Sequence, residues 1–125
     1  MIIGIGVDHI EISRIKKTIR RQKERFLNKI FTEKEIEYCE KKKDRYQHYA
    51  ARFAAKEAVY KALNQTGTEG ISWKDIEIVN EISGKPEIFL RNKTLRLAKR
   101  LKVSKILLSI SHNKDIAISN VIITS

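Results

Sequence analysis

Glu57 and Lys61 are the side chains best placed for chemistry. They lie in Arg52-Phe53-Ala54-Ala55-Lys56-Glu57-Ala58-Val59-Tyr60-Lys61-Ala62, where a helix stacks them one turn apart. At about 100° per residue, Ala51, Ala55, Ala58 and Ala62 share one narrow stripe. A stripe of alanines lets a helix pack very close to whatever lies beneath it. The carboxylate and the ammonium sit at the edge of that face, with apolar neighbours on either side. The plain alternative is a surface pair worth a few tenths of a kcal/mol. A second carboxylate ends Ile2-Ile3-Gly4-Ile5-Gly6-Val7-Asp8, which reads as a strand over residues 2–10. Ile3, Ile5, Val7 and His9 face one way in such a strand, and Gly4, Gly6 and Asp8 the other. Two glycines on one face suggest close approach of another backbone. If the alanine stripe is what approaches, Asp8 and Glu57 come within reach of one cation. Read alone, Asp8 is better taken as a strand-end residue capping the next helix.

The elements that position these groups follow from periodicity. Residues 11–30 read as one helix with Ile12, Ile15, Ile19 and Phe26 inward. Its polar side carries Arg14, Lys17, Arg21 and Arg25 at three- and four-residue spacing along one face. Thr32-Glu33-Lys34-Glu35 is a capping box opening a second helix through about Cys39. A basic link, Lys41 to Arg45, leads to a central helix from about Gln47 to Leu63, and Asn64 to Gly70 is rich in turn residues. Strands at Asp75–Val79 and Glu87–Leu90 flank the turn Ser83-Gly84-Lys85-Pro86. Asn92 to Leu101 reads as a basic amphipathic helix. Lys105–His112 and Ile116–Ile123 pair across Asn113-Lys114-Asp115. The fold class is α+β, one domain over residues 1–125, with a largely antiparallel sheet packed against the long central helix.

Composition narrows the function. With 26 basic and 15 acidic residues the chain carries a net charge of +11, which favours an anionic partner without choosing one. Cys39 is the single cysteine, so an internal disulfide is excluded, and without a neighbouring His it reads as a buried or idle thiol. No apolar run approaches membrane-spanning length, and the N-terminus lacks a signal-peptide pattern. A cytoplasmic protein without a membrane partner is expected. Ser111 and His112 are not a nucleophile–base pair, because adjacent strand residues point to opposite faces. Gly4-Ile5-Gly6 lacks the rest of a dinucleotide fingerprint, and no zinc or phosphate-loop spacing is present.

Four pieces in order, Gly4-Ile5-Gly6-Val7-Asp8, Arg52-Phe53-Ala54-Ala55-Lys56-Glu57-Ala58 with Lys61-Ala62, Gly84-Lys85-Pro86 and Ser109-Ile110-Ser111-His112, resemble the holo-acyl-carrier-protein synthases. These are the short, homotrimeric class of 4′-phosphopantetheinyl transferases. The resemblance covers nearly the whole chain. It implies transfer of phosphopantetheine from coenzyme A to a serine of apo acyl carrier protein, in fatty acid biosynthesis. It implies that Asp8 and Glu57 hold Mg²⁺ at the coenzyme pyrophosphate, that Lys61 contacts phosphate, and that all three are catalytic. By the same resemblance, Arg52, Lys56 and His112 help hold coenzyme A, the Gly84–Pro86 turn lies near its adenine, and Arg14, Lys17, Arg21 and Arg25 meet the acidic carrier. The site is expected between subunits of a homotrimer.

The residue types suit that chemistry. Mg²⁺ needs only one or two carboxylates beside substrate phosphates, and Glu57, directly or through a water, is the candidate base for the serine proton. Two departures stand out: Asn64-Gln65-Thr66-Gly67 where the family has Gly-Thr-Gly, and Ala117-Ile118-Ser119 where it has Ala-x-Ala. Two other readings compete. A basic nucleic-acid-binding domain fits the charge, but no helix-turn-helix, zinc finger or RNA-binding aromatic signature accompanies it, so no nucleic acid is expected. A structural subunit that kept the fold and lost activity is the other.

Overall fold

The computed structural model describes residues 1–63 and 72–125. The substituted turn at Asn64–Gly67 therefore lies outside the described residues. In chain order the elements are β1 (Ile2–Glu11), α1 (Ile12–Gln22), α2 (Glu24–Ile30), α3 (Glu33–Glu40), α4 (Arg45–Leu63), a short 3-10 turn at Trp73–Asp75, β2 (Ile76–Asn80), β3 (Pro86–Leu90), α5 (Asn92–Arg100), β4 (Lys105–His112) and β5 (Ile116–Thr124). The strands form an antiparallel sheet ordered β1-β5-β4 and a separate β2-β3 hairpin. This is the expected α+β arrangement, with α4 lying across the inner face of the larger sheet.

Why α4 can lie so close is visible at two glycines. A Cβ built on Gly6 stands 1.9 Å from the Ala58 carbonyl oxygen, and one on Gly4 stands 2.3 Å from that of Ala62. Helix and strand are in backbone contact, and any side chain at either position would separate them. The glycine face of β1 is the inner one, as its pattern suggested. On β5, Ala117, Ser119, Val121 and Ile123 face inward and are buried. The outer face keeps its apolar side chains in the open. Ile5 pairs with Ile122, which pairs with Leu107, forming an apolar row across all three strands, and all three residues are exposed.

One element differs from its sequence reading. The stretch read as one helix over 11–30 forms two, Ile12–Gln22 and Glu24–Ile30, broken at Lys23, whose φ is 53°. Periodicity cannot report this break, since Phe26, Leu27 and Ile30 keep helical spacing on either side of it. The turn brings the Phe26 ring within 6.3 Å of Phe53 on α4 and 6.2 Å of Phe31, a tertiary contact without a local signature. Arg25 accordingly lies on α2. Arg14, Lys17 and Arg21 alone share α1, so the four-residue row on a single helix is not formed.

The capping box at Thr32–Glu35 is present as read, with Glu35 accepting from the Thr32 backbone N–H at 2.8 Å. Gly84 has φ +91°, which is the conformation its turn needs and which glycine adopts at little cost.

Candidate active site

At the C-terminal half of α4, the backbone contact with β1 brings the first cluster together. Lys61 Nζ lies 2.9 Å from Asp8 Oδ1 and also donates to the Val7 carbonyl at 3.3 Å. Neither the surface-pair reading of Lys61 nor the capping reading of Asp8 is needed: the ammonium crosses from helix to strand. Glu57 stands one turn before Lys61. Burial, and then the negative charge of Asp8, push its carboxyl above the usual range, against the opposing pull of Lys61. Asp8 and Glu57 thus both adjoin Lys61, one across from it on β1 and one a turn before it on α4.

The donor set fits a hard dication. Among the described residues, no group of three or more His, Cys, Asp and Glu side chains is placed to enclose a metal. Two convergent carboxylates, partly desolvated and repelling one another, are what Mg²⁺ accepts when phosphate oxygens and waters complete its shell.

A second cluster lies towards the N-terminal end of α4. Arg52, His48, Tyr38, Asn80, Gly84, Pro86 and His112 line a cleft of about 380 Å³. The Arg52 guanidinium lies 4.0 Å from the centre of the Tyr38 ring and donates through Nη2 to Asn80 Oδ1. Asn80 in turn donates to the Gly84 carbonyl at 2.9 Å, which ties the hairpin turn to α4. Arg52, His112, Gly84 and Pro86, assigned to one ligand by resemblance, are therefore brought together. They are not brought to Asp8 and Glu57. Helical geometry turns Arg52 about 140° from Glu57 and about 180° from Lys61.

Lys56, expected among the coenzyme contacts, turns inward. Its side chain is fully buried, and its Nζ lies 2.7 Å from Glu35 Oε1 and donates to the Trp73 and Ile76 carbonyls at 3.0 and 2.5 Å. Glu35 Oε2 also accepts from the Ile78 N–H at 2.8 Å. With its hydrogen bonds directed inward, this ammonium holds α3, α4 and β2 together. Burial lowers its pKa, and Glu35 opposes that. Arg14, Lys17 and Arg21 are exposed on α1, and Arg25 is exposed on α2. Cys39 is buried, which pushes its thiol up to about 12 and leaves it unreactive.

Tyr38, His48 and Asn80 escaped the sequence reading. None has a sequence signature, although His48 precedes Arg52 by one helical turn, which was available as a hint.

Fold and paired clusters together define a class. The chain belongs to the 4′-phosphopantetheinyl transferase superfamily, whose family model matches residues 4–121. Within that class it is similar to the holo-[acyl-carrier-protein] synthase of Clostridium tetani, at 50% identity over 98% of this chain and 96% of the relative. A solved holo-[acyl-carrier-protein] synthase from Neisseria meningitidis superposes with a TM-score of 0.90 at 31% identity, covering 100% of both chains. That from Helicobacter pylori, in complex with coenzyme A, gives 0.84 at 32% identity, covering 96% of this chain and 99% of that one.

Proposed function

We propose that this protein transfers the 4′-phosphopantetheine group from coenzyme A to a serine hydroxyl of an apo acyl carrier protein, releasing adenosine 3′,5′-bisphosphate, in support of fatty acid biosynthesis. The observation that carries this reading is the convergence of Asp8, Glu57 and Lys61 where α4 meets the glycine face of β1. Asp8 and Glu57 would hold Mg²⁺, which when bound supplies positive charge to the pyrophosphate oxygens. Lys61 places a further cation beside the same oxygens. The serine oxygen attacks the pantetheine-side phosphorus, and the bond from that phosphorus to the oxygen of the departing bisphosphate breaks. Glu57, directly or through a water it holds, takes the serine proton. Arg52 and His112 hold phosphate in the second cleft, with the Gly84–Pro86 turn beside the adenine. The exposed cations of α1, with Arg25 on α2, steer the acidic carrier.

A homotrimer is part of the reading. The exposed row Ile5, Ile122 and Leu107 offers an apolar sheet face that a second copy would cover, and residues 1–125 act as one transferase domain within it. A cytoplasmic location suits an enzyme of these substrates; among the described residues no helix is long and apolar enough to cross a membrane.

The test is to mix the protein with coenzyme A, Mg²⁺ and an apo carrier protein and weigh the carrier. A gain of one phosphopantetheine group is expected with the wild-type chain and is lost in Asp8→Asn and Glu57→Gln. An unmodified carrier at millimolar Mg²⁺ would refute the reading.

A further inference from the structure

We propose that His48 is a further phosphate-binding residue, and that a phosphomonoester dianion entering its cleft draws a proton onto His48. This rests on the coenzyme reading of that cleft. His48 stands one turn before Arg52, on the same side of α4. Its ring lies edge-on to Tyr38 at 5.7 Å and to His112 at 6.0 Å between centroids. Arg52 is only 3% exposed, yet its buried Nε has no hydrogen-bond partner among the described residues. A buried guanidinium with an unused donor, beside two imidazoles, calls for an acceptor carrying several oxygens.

The charges facing His48 come from every element around it. α4 supplies Arg52, β4 supplies His112, and the α3–α4 link supplies Lys42 against Asp44. α3 contributes the Tyr38 ring, and the hairpin contributes the uncharged Asn80, Gly84 and Pro86. Burial, then Arg52, His112 and Lys42, hold the His48 pKa below its ordinary value, with Asp44 opposing. Without a ligand, a proton on His48 meets mainly positive charge. A dianion reverses that balance, so binding takes up a proton and converts an imidazole with one donor into an imidazolium with two.

The direction of the pH dependence follows. Affinity rises as pH falls from about 8 towards neutrality, by at most tenfold per pH unit for each proton taken up. The gain ends near pH 6, where the phosphomonoester takes its own second proton. A pyrophosphate diester has no group that titrates in this range. The 3′-phosphorylated coenzyme and its dephospho form should therefore differ in slope as well as in affinity.

Calorimetric titration of coenzyme A and dephospho-coenzyme A, at about pH 6.5 and about pH 8 and in two buffers of different ionisation enthalpy, measures both affinity and proton uptake. Wild-type protein should bind coenzyme A severalfold more tightly at the lower pH with net proton uptake, while dephospho-coenzyme A stays nearly flat. His48→Gln should weaken coenzyme A about tenfold at the lower pH and reduce the uptake. His48→Arg should recover affinity with a permanent charge and keep the reduced uptake. Wild-type affinity and proton uptake in His48→Gln would overturn the proposal, as would equal slopes for the two ligands. Failure of the wild-type chain to bind coenzyme A would overturn the coenzyme reading along with it.

Discussion

Replacing Gly6 by alanine tests the geometry on which the carboxylate cluster depends. The added Cβ would stand 1.9 Å from the Ala58 carbonyl oxygen and 2.8 Å from its carbon, where real contacts essentially never fall below 3.0 Å. Both neighbours are backbone, so no side chain can swing aside. The helix must retreat from the strand by about 1 Å or more to relieve the clash. Forced overpacking of this kind costs about 1–3 kcal/mol, and the loss of glycine flexibility offsets only part of it. For a chain of this size each kcal/mol shifts the melting temperature by about 3–6 °C, so Gly6→Ala should melt roughly 3–15 °C lower. The same retreat stretches the 2.9 Å contact between Lys61 and Asp8 beyond hydrogen-bonding distance. It also moves Glu57 away from Asp8. Misplacement by about 1 Å costs on the order of a hundredfold in rate. Thermal unfolding by circular dichroism and the carrier mass gain read the two consequences separately. A variant that melts within a degree of wild type and modifies carrier at full rate would refute the backbone contact and the site built on it.

Lys56→Met should destabilise the fold by about 3–5 kcal/mol, because it strands the buried Glu35 carboxylate; Glu35→Gln with Lys56→Met should recover much of this in urea unfolding, whereas equal loss in both would contradict the pairing. The raised Glu57 carboxyl makes the folded state bind more protons than the unfolded one between the two pKa values, so its contribution to stability falls as pH rises through that window. Glu57→Gln should therefore flatten the urea midpoint as pH rises above the ordinary carboxylate range in metal-free buffer, and an unchanged profile would argue against the acid pair. Glu57→Gln and His112→Ala subunits, each impaired alone, should regain some carrier modification when co-assembled; verified mixed assemblies without recovery would place the site within one chain.

Most of the fold was legible because local signals agreed with tertiary need. The capping box set the start of α3, and the turn Asn113-Lys114-Asp115 set the hairpin of β4 and β5. The glycine pair on one face of β1 and the alanine stripe on α4 each implied a close neighbour, and they proved to be each other's. What stayed hidden depended on contacts distant in sequence. Glu35 was readable as a cap, but its second oxygen accepts from Ile78 in β2, 43 residues on, and its partner Lys56 looked like part of a charged motif. The α4 helix is buried on most sides, including Tyr49, Arg52, Lys56 and Tyr60, so its weak amphipathicity gave no warning that a lysine beside Glu57 points inward. The break at Lys23 was silent for the reason given by Phe26, Leu27 and Ile30: their spacing fits a straight helix equally well.

The division of α4 has a consequence for how the proposed enzyme is assembled. One helix carries two sets of phosphate-directed groups, and its own geometry turns Arg52 about half a turn away from Lys61 and displaces it by roughly 13 Å along the axis. A ligand whose pyrophosphate meets Lys61 and whose adenosine end meets the cleft around Arg52 would have to pass around a helix that is buried on most sides. The same ligand can run directly from the acid cluster of one copy to the cleft of another. In the proposed assembly the sheet would bring copies together, since the exposed Ile5, Ile122 and Leu107 lie on the face of β1-β5-β4 opposite α4. Burying that row between subunits removes apolar surface from water, at about 25 cal/mol per Å², without disturbing the glycine face that holds Asp8 against Glu57. In that proposal the two faces of β1 would divide the work: the glycines would build the half-site, and the isoleucines would bring the other half to it.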